Sequence, residues 1–566
     1  MRDWRNTSKR LQQASNKKMF CPFVFQTAKG CVTSTQRPLR PAMTAVVLFV
    51  ALWVVAAPWA FGQGDEQQPA FEISAFALQG NTLLPEAEMQ SHLAEFTGPS
   101  KTAEDVEAAR DALEGLYHKE GYPTVLVNIP EQTVEGGIIR LQAIESRIRR
   151  VKVTGNRYFT MDKILRELPS FRPGEILYVP KVEAELREIN RNQDFKVAPV
   201  VMPSKEPGAI DVELKVKDRL PLHGSVELNN RSTHDTTDLR LNCMIRYDNL
   251  WQKEHSISLQ YQTSPEDTDE VQVVAGSYVF PTPWKDDHLV ALYGIWSDSD
   301  TAFGEGFEVV GKGNIFGARY VMPLPSYKLY THNLTLGLDY KDFDETTGFE
   351  EEEEDLRTPL TYVPLSLSYS ASLFDRWGHT RFSSGLNMSF RGLVSEQREF
   401  EEKRFRAKGN YVCATFGLER THKLPVDMGL FVKLDGQVAD QPLISNEQYS
   451  AGGMGSVRGY KESEVLGDDA FHTTLEFSAP DLADLFKVSD HVGFTPYLFY
   501  DAAALRVRSP LEGQDSSPFV QGAGLGVRGY VSRFLEYQSD WAIALSDTEQ
   551  TDKGDSRFHF KVKCLF

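Results

Sequence analysis

Residues 557–566 read Arg-Phe-His-Phe-Lys-Val-Lys-Cys-Leu-Phe. The side chains of Phe558, Phe560, Val562, Cys564 and Phe566 take every second position, and basic side chains fill the positions between the first four of them. Because side chains along a β-strand point alternately to opposite faces, this stretch predicts a strand with one apolar and one polar face. A strand of about ten residues with that pattern is typical of an outer-membrane β-barrel.

Runs with the same alternation extend back through residues 219–566, and one of them carries Leu334, Leu336 and Leu338. About sixteen such runs are separated by turn residues, and the connections between them alternate between short and long. We therefore predict an all-β transmembrane barrel of about 16 antiparallel strands over residues 219–566. The alternative is a water-soluble β-sandwich, which has no reason to show this bias in loop length. The long connections are expected at residues 341–359, 391–406, 439–468 and 503–518.

The composition excludes several other classes of protein. A mean hydropathy of −0.36 is too polar for a helical membrane protein, and a net charge of −18 argues against a nucleic-acid partner. The five cysteines form no Cys-x-x-Cys pair, so we expect no metal site and no cofactor. We find no signature of nucleophilic or phosphate chemistry and expect no enzyme. Residues 524–529 fit Gly-x-Gly-x-x-Gly, but no helix pattern follows, so tight packing inside the barrel explains these glycines better.

Residues 1–62 form a predicted leader. An apolar stretch at residues 43–61 follows Arg37 and Arg40 and ends in small residues, which is the pattern of a secretory signal peptide. A retained membrane anchor is the alternative, and the chain start could lie at Met19 or Met43. Residues 63–70 are then a short linker, too short for a plug helix.

Residues 71–147 and 148–218 form a weak internal repeat. Each copy has a short strand followed by a Gly-Asn turn, Gly80-Asn81 in the first and Gly155-Asn156 in the second, and then a helix. The predicted order in each copy is strand, helix, helix, strand, strand. This order resembles the POTRA (polypeptide-transport-associated) domain, although another small α+β domain would also fit. The resemblance implies that the sheet edges bind extended polypeptide by β-augmentation.

The longest loop, the sixth on its side of the barrel, carries a glycine-rich motif that resembles a known family. Residues 450–460 read Ser-Ala-Gly-Gly-Met-Gly-Ser-Val-Arg-Gly-Tyr. This motif is similar to that of the two-partner secretion transporters (TpsB type, haemolysin secretion/activation proteins), and residues 246–250, Arg-Tyr-Asp-Asn-Leu, resemble an early barrel turn of the same family. The motif residues that we single out are Gly452, Gly453, Val457, Arg458, Gly459 and Tyr460.

The resemblance implies that the loop folds into the barrel and that Arg458 pairs with the acidic residue of a Phe-x-Asp motif on the wall. Phe499 and Asp501 supply that motif here. A second Val-Arg-Gly-Tyr at residues 527–530 lies in a strand pattern, so we assign this role to the first copy. Phe566 resembles the ending by which the barrel-assembly machinery recognises barrels for insertion.

The family resemblance implies a protein translocation pore in the outer membrane, with the two POTRA units in the periplasm. Its expected partners are a large secreted exoprotein as cargo, outer-membrane lipid, and the barrel-assembly machinery for its own insertion. One alternative is a factor that assembles other barrels, which more POTRA units or an unstable seam between the first and last strands would favour. A passive solute porin is a second alternative, against which the two POTRA-like units argue.

Overall fold

A computed structural model describes residues 70–566 except 235, 286, 300, 305–306, 348–355, 391, 393 and 490. The predicted leader at residues 1–62, and the linker as far as residue 69, lie outside the described residues, as does the whole run of acidic residues at 350–355. Among the described residues, no helix is both long and apolar enough to cross a membrane.

The first unit contains strands β1 (Phe71–Ile73), β2 (Ala75–Gln79), β3 (Gly98–Lys101), β4 (Val125–Asn128) and β5 (Ile138–Glu145), with helices α1 (Glu86–Leu93) and α2 (Ala103–Lys119). Its main sheet has the order β2-β5-β4, with β2 and β5 parallel. The apolar stripe of α2 packs on this sheet through Val106, Leu113 and Leu116. Thr102 and Asp105 form a capping box at the start of α2, and their hydrogen bond lowers the pKa of the Asp105 carboxyl.

The second unit repeats this design. It contains β6 (Arg147–Thr154), α3 (Met161–Glu167), α4 (Val179–Ile189), β7 (Phe195–Pro203) and β8 (Ala209–Asp218), and its sheet has the order β6-β8-β7. The apolar pattern predicts this helix from Val182, but α4 begins three residues earlier, because Pro180 fits the first turn of a helix, where no backbone donor is needed. The two units meet where the Tyr122 and Tyr178 rings lie 5.1 Å apart.

The Gly-Asn turns have the same structural cause in both units. Gly80 and Gly155 have positive φ angles of 76° and 84°, and a Cβ on either would overlap a carbonyl oxygen of the middle strand. A carboxylate at the end of that strand then binds the backbone after the turn. Glu145 accepts from the Leu83 N–H at 3.0 Å, and its counterpart in the second unit is Asp218.

The rest of the chain forms a closed antiparallel barrel of 16 strands, which confirms the predicted fold class. Its strands are β9 (Leu222–Asn229), β10 (Arg240–Leu250), β11 (His255–Thr263), β12 (Gln272–Pro281), β13 (Leu289–Asp298), β16 (Gly313–Pro323), β17 (Tyr330–Thr347), β18 (Leu356–Tyr362) with β19 (Leu365–Asp375), β20 (Gly378–Ser389), β21 (Tyr411–Lys423), β22 (Gly429–Ala439), β25 (Asp469–Ser478), β26 (Val492–Arg506), β27 (Phe519–Val531), β28 (Leu535–Ala544) and β29 (Ser556–Leu565).

β18 and β19 act as one strand that Pro364 interrupts, since both pair with β17. β17 and β18 also extend into the connection expected at residues 341–359, so the loop itself is shorter than predicted.

The loops at the far end from the second unit carry two hairpins, β14 (Thr301–Gly304) with β15 (Phe307–Val310) and β23 (Tyr449–Ala451) with β24 (Val465–Gly467), and the short helix α5 (Gln397–Lys403). Helix α6 (Leu482–Leu485) lies in the turn between β25 and β26. The alternation of residue types predicts a sixth barrel strand from near residue 307, but the β14–β15 hairpin takes up those residues and the strand begins at Gly313.

The alternation of side chains along the barrel strands determines which face meets lipid. Leu336 and Leu338 are about half exposed on the outer face, as is Phe558 on the last strand. His559, the next residue along, is buried on the inner face. The barrel therefore encloses a polar interior, into which the sixth loop folds.

Candidate functional site

The sixth loop leaves β22, forms the β23–β24 hairpin, and sends its tip, residues 452–464, into the barrel. The backbone path of this tip depends on glycine. Gly452, Gly453 and Gly459 have φ angles of 116°, 92° and 108°, which side-chain-bearing residues rarely adopt. A Cβ at Gly453 would also overlap the Glu462 carboxylate. The glycines of the motif therefore allow the tip to turn back on itself within a narrow space.

Arg458 is fixed on the barrel wall by Asp501 of β26. Its Nε and Nη2 donate to the two Asp501 carboxylate oxygens at 2.7 and 2.9 Å, and its backbone N–H donates to the same carboxylate at 3.2 Å. The guanidinium lies over the Phe499 ring, with Cζ 3.6 Å from the ring centroid. Arg458 is 3% exposed and Asp501 is fully buried. A two-point pair shielded in this way is stronger and more directional than a surface ion pair.

Two further acidic side chains surround the same guanidinium. Arg458 Nη1 donates to Glu476 on β25 at 2.9 Å and lies 3.8 Å from Asp540 on β28. Glu476 also accepts from Arg528 at 2.8 Å, and the Tyr497 hydroxyl donates to Asp540. Four strands, β25 to β28, thus supply one network of buried charges. Arg528 belongs to the second Val-Arg-Gly-Tyr, and it lies on the wall within this network.

Glycines on β27 let the loop tip approach the wall closely. A Cβ at Gly522 would overlap the Arg458 carbonyl oxygen, and a Cβ at Gly524 would overlap the Trp541 carbonyl oxygen and crowd the Phe499 ring. The Gly-x-Gly stretch is thus explained by close packing inside the barrel.

The other motif residues hold the tip against β27, β28 and β29. Val457 and Tyr460 are fully buried, and the Tyr460 hydroxyl lies 2.8 Å from the Ser546 carbonyl oxygen. The Gly459 N–H donates to His559 Nε2 at 3.1 Å. The tip is therefore anchored on the wall on both sides of Arg458.

A second anchor, which the sequence did not indicate, ties the tip to the first loop of the barrel. Arg231 donates to both Glu462 oxygens, at 2.9 and 3.1 Å, and the Glu462 N–H donates to the Ser232 carbonyl at 2.9 Å. The Met454 N–H also donates to Glu462, at 3.0 Å. The tip therefore spans from β26 to the loop between β9 and β10.

The base of the sixth loop is held by Asp468, which is fully buried. Arg404 of the fifth loop donates to both of its oxygens at 2.7 and 2.9 Å, and the Leu443 and Arg508 N–H groups donate to it at 2.7 and 2.6 Å. One carboxylate thus joins the fifth, sixth and seventh loops.

The remaining predicted residues lie elsewhere. Gly80, Asn81, Gly155 and Asn156 are in the two α/β units, and Asn156 Nδ2 donates to the Phe159 carbonyl at 2.9 Å. Phe566 lies across the junction of β29 and β9. Its N–H donates to the Gly224 carbonyl at 3.0 Å, and its ring covers Gly224, where a Cβ would overlap it.

Among the described residues, Asp194, His223 and Asp248 have atoms of metal-ligand type within 4.8 Å of one another. Arg219 donates to Asp194 at 2.8 Å and Arg246 donates to Asp248 at 2.9 Å. Two guanidinium groups thus already balance the two carboxylates, so the cluster needs no cation to hold together.

Family profiles match most of the described chain. The profile described as haemolysin secretion/activation protein ShlB/FhaC/HecB matches residues 208–529, and a ShlB-type POTRA domain profile matches residues 71–146. The outer membrane transporter CdiB of Dickeya dadantii (strain 3937) is 23% identical over 423 residues, which cover 71% of each chain.

Solved structures share the fold. CdiB from Escherichia coli superposes with a TM-score of 0.58 at 19% identity, over 91% of this chain and 93% of CdiB. BamA from Haemophilus ducreyi lacking POTRA domains 1–3 superposes with a TM-score of 0.55 at 15% identity, over 88% of this chain and 100% of that structure. Because both proteins fit the same fold, the superposition alone does not separate secretion from barrel assembly.

Proposed function

Because the chain belongs to the haemolysin secretion/activation protein family ShlB/FhaC/HecB, we propose that its barrel exports one unfolded exoprotein and that the Arg458–Asp501 pair controls the pore. The protein is an outer-membrane transporter with its POTRA units on the periplasmic side. The observation that supports our proposal for the pore is the buried tip of the sixth loop, which occupies space that a polypeptide crossing the barrel would need.

Arg458 is well suited to control such a pore because its docked position is specific. A planar guanidinium that meets a carboxylate at two points has one favourable orientation, whereas a lysine would have many. The tip therefore has a defined resting place against β26. When cargo enters, the tip leaves the centre of the lumen, and after export it returns to the same wall.

The POTRA units recognise and bind the cargo. Each sheet ends in two edge strands, β2 and β4 in the first unit and β6 and β7 in the second. The start of β6 already pairs with residues 174–176, so an extended chain would add as another strand beside the remaining parts of these edges. Such binding reads the backbone, so it selects unfolded cargo over folded cargo. Transport needs no catalytic chemistry, since folding of the exoprotein outside the cell can draw the chain outward.

The test uses purified protein in liposomes with an unfolded exoprotein and no nucleotide. We expect cargo to become protected from external protease with the wild type. Asp501→Asn, which keeps the shape of the side chain but removes its charge, should abolish this transport while the barrel still resists heat and protease. A need for nucleotide, or full transport by Asp501→Asn, contradicts the proposal.

One observation favours barrel assembly as a second candidate function. The ladder that closes the barrel, β29 with β9, runs from Lys561↔Asn229 to Leu565↔Ser225 and is extended by the backbone pair of Phe566 with Gly224, whereas β26 and β27 pair from Val492↔Val531 to Ala504↔Phe519. A short seam is easier to open, and an opened seam offers unpaired strand edges to a new barrel strand.

The chain offers a direct test of seam opening, because Cys564 lies opposite Val226 across the seam. Directly opposed residues in an antiparallel pair have Cα atoms about 4.5–5.5 Å apart, within disulfide range. Val226→Cys combined with Cys243→Ser, since Cys243 also lies opposite Val226, should lock the seam on oxidation. We expect secretion to continue. Loss of secretion on oxidation that a reductant restores would instead support a function that needs an open seam.

A further inference from the structure

The turn between β10 and β11, residues 251–254, has an unusual backbone and faces the second unit. Trp251, Gln252 and Glu254 have φ angles of 61°, 56° and 61°. Each left-handed residue that is not glycine costs about 1–2 kcal/mol. Strain of this kind persists only where surrounding contacts compensate for it.

Gln252 supplies the first of these contacts. Its Oε1 accepts from the Thr160 N–H at 3.1 Å, and its Nε2 donates to the Tyr158 carbonyl at 3.1 Å. Its own carbonyl accepts from Arg166 Nη2 at 2.9 Å. The side-chain amide therefore binds the backbone on both sides of Phe159, which belongs to the core of the second unit.

Glu254 supplies the second contact. Lys163 of α3 is 1% exposed, and its ammonium donates to Glu167 at 2.6 Å and to Glu254 at 3.0 Å. A buried ammonium is costly unless carboxylates surround it. Burial raises the pKa of Glu167, which makes that residue a poorer counter-ion than an ordinary carboxylate. The barrel residue Glu254 thus completes the environment of a buried charge in the neighbouring domain.

A third contact joins the second unit to β9. Asp194, which precedes β7, accepts from Arg219 at 2.8 Å and is 3.0 Å from His223 Nε2 on β9. His223 is in turn 3.5 Å from Asp248, near the end of β10. The second unit is therefore held at two places, by the turn at residues 251–254 and by His223, which Asp248 also contacts.

We propose that these contacts form a rigid joint, which we define as Thr160, Lys163 and Asp194 of the second unit with His223, Gln252 and Glu254 of the barrel. The joint holds the second POTRA unit in one orientation at the periplasmic mouth. Gln252 and Glu254 are positioning residues for export, because they orient the cargo-binding edges towards the lumen. The role of Gln252 and Glu254 in export rests on the proposed function, whereas the joint itself does not.

The joint also gives the Arg-Tyr-Asp-Asn-Leu stretch at residues 246–250 a structural role. These residues end β10 and lead directly into the strained turn, so their conformation sets where Gln252 points. Only residues 219–221 link β8 to β9. Because a link of this length does not by itself set the angle between two domains, the attachment at the turn of residues 251–254 determines the orientation of the domain.

The first arm of the test measures amide exchange in the full-length protein in detergent. The Thr160 N–H donates to Gln252, whereas the nearby Phe159 N–H donates to Asp218 at 3.1 Å within the same domain. In Gln252→Ala we expect Thr160 to exchange at least about fivefold faster, since one hydrogen bond contributes about 1 kcal/mol. Phe159 should be unaffected. Unchanged exchange at Thr160 would overturn the joint.

The second arm measures secretion by the double variant Gln252→Ala with Glu254→Gln. Asp427→Ala is the matched control, since its exposed side chain lies on another periplasmic turn with a positive φ. We expect severalfold less secretion at an unchanged amount of inserted barrel, with no effect in the control. Faster Thr160 exchange with normal secretion would overturn the positioning role. If the wild type itself exports no cargo, the proposed function fails. The exchange data still show whether the joint exists.

Discussion

Replacing Arg458 by alanine should release the tip of the sixth loop from the barrel wall. Among the described contacts, the hydrogen bonds that Asp501 accepts all come from Arg458. Removal of the guanidinium therefore leaves a fully buried carboxylate without a counter-ion. Breaking a buried pair in this way costs about 3–5 kcal/mol. At 1.4 kcal/mol per factor of ten, the ratio of docked to released tip should fall by roughly a hundredfold to a few thousandfold.

The position of the tip can be followed with a thiol at Val457, which is fully buried when the tip is docked. We expect Val457→Cys to react with a maleimide at least about a hundredfold faster when Arg458→Ala is added, because labelling follows the population of the released tip. Secretion should be lost while insertion is normal, since the released tip remains in the lumen and competes with cargo. Arg528→Ala, in the second copy of the motif, should leave the tip docked.

Two results would contradict the role of the Arg458–Asp501 pair in docking and export. Slow labelling of Val457→Cys in the Arg458→Ala background would show that Asp501 does not hold the tip. Normal secretion in that background would show that docking has no role in export. Arg458→Lys should raise labelling less than Arg458→Ala does, because the ammonium remains a counter-ion for Asp501 but cannot meet both carboxylate oxygens from one fixed plane.

Three further predictions follow from neighbouring contacts. Glu462→Gln should weaken the tie to Arg231 by about 1–3 kcal/mol and raise labelling of Val457→Cys less than Arg458→Ala does, since Asp501 still holds the tip. Gly522→Ala should displace the tip at a cost of about 1–3 kcal/mol, because the new methyl group would overlap the Arg458 carbonyl oxygen, and the same labelling assay would detect it. Gly155→Ala should destabilise the second POTRA unit by about 2 kcal/mol, seen as a lower midpoint in thermal unfolding, whereas Gly115→Ala, in open space on α2, should not.

Most of the barrel can be read from its sequence because every strand obeys the same rule of alternation. The alternation predicts a first strand from near residue 223 and a twelfth from near residue 469, and the observed strands begin at Leu222 and Asp469. The rule failed where a loop contains its own strands. The β14–β15 hairpin looks like the start of the next barrel strand, since its residues have the same β-forming character.

The candidate site was only partly predictable. The residues of the Val-Arg-Gly-Tyr motif and Asp501 carry a recognisable pattern, but Glu476 and Asp540 are single acidic residues in ordinary strands. They reach Arg458 because the register of four adjacent strands brings them to one level of the barrel, and no local signal encodes that level. Glu462 and Arg231 are 231 residues apart, and nothing near either residue indicates the other.

An unfolded exoprotein that passes through the lumen comes within reach of Tyr293, where a photoreactive side chain would cross-link to it. The Tyr293 hydroxyl donates to Asp339 at 2.6 Å within a polar network that includes Arg319, so a photoreactive phenylalanine analogue there would face the lumen. Leu292, the residue before Tyr293, is exposed on the lipid-facing side of the strand and is the control. With cargo stalled during export, we predict an adduct between the exoprotein and position 293 and none at position 292. Secretion that continues without any adduct at position 293 would contradict this account.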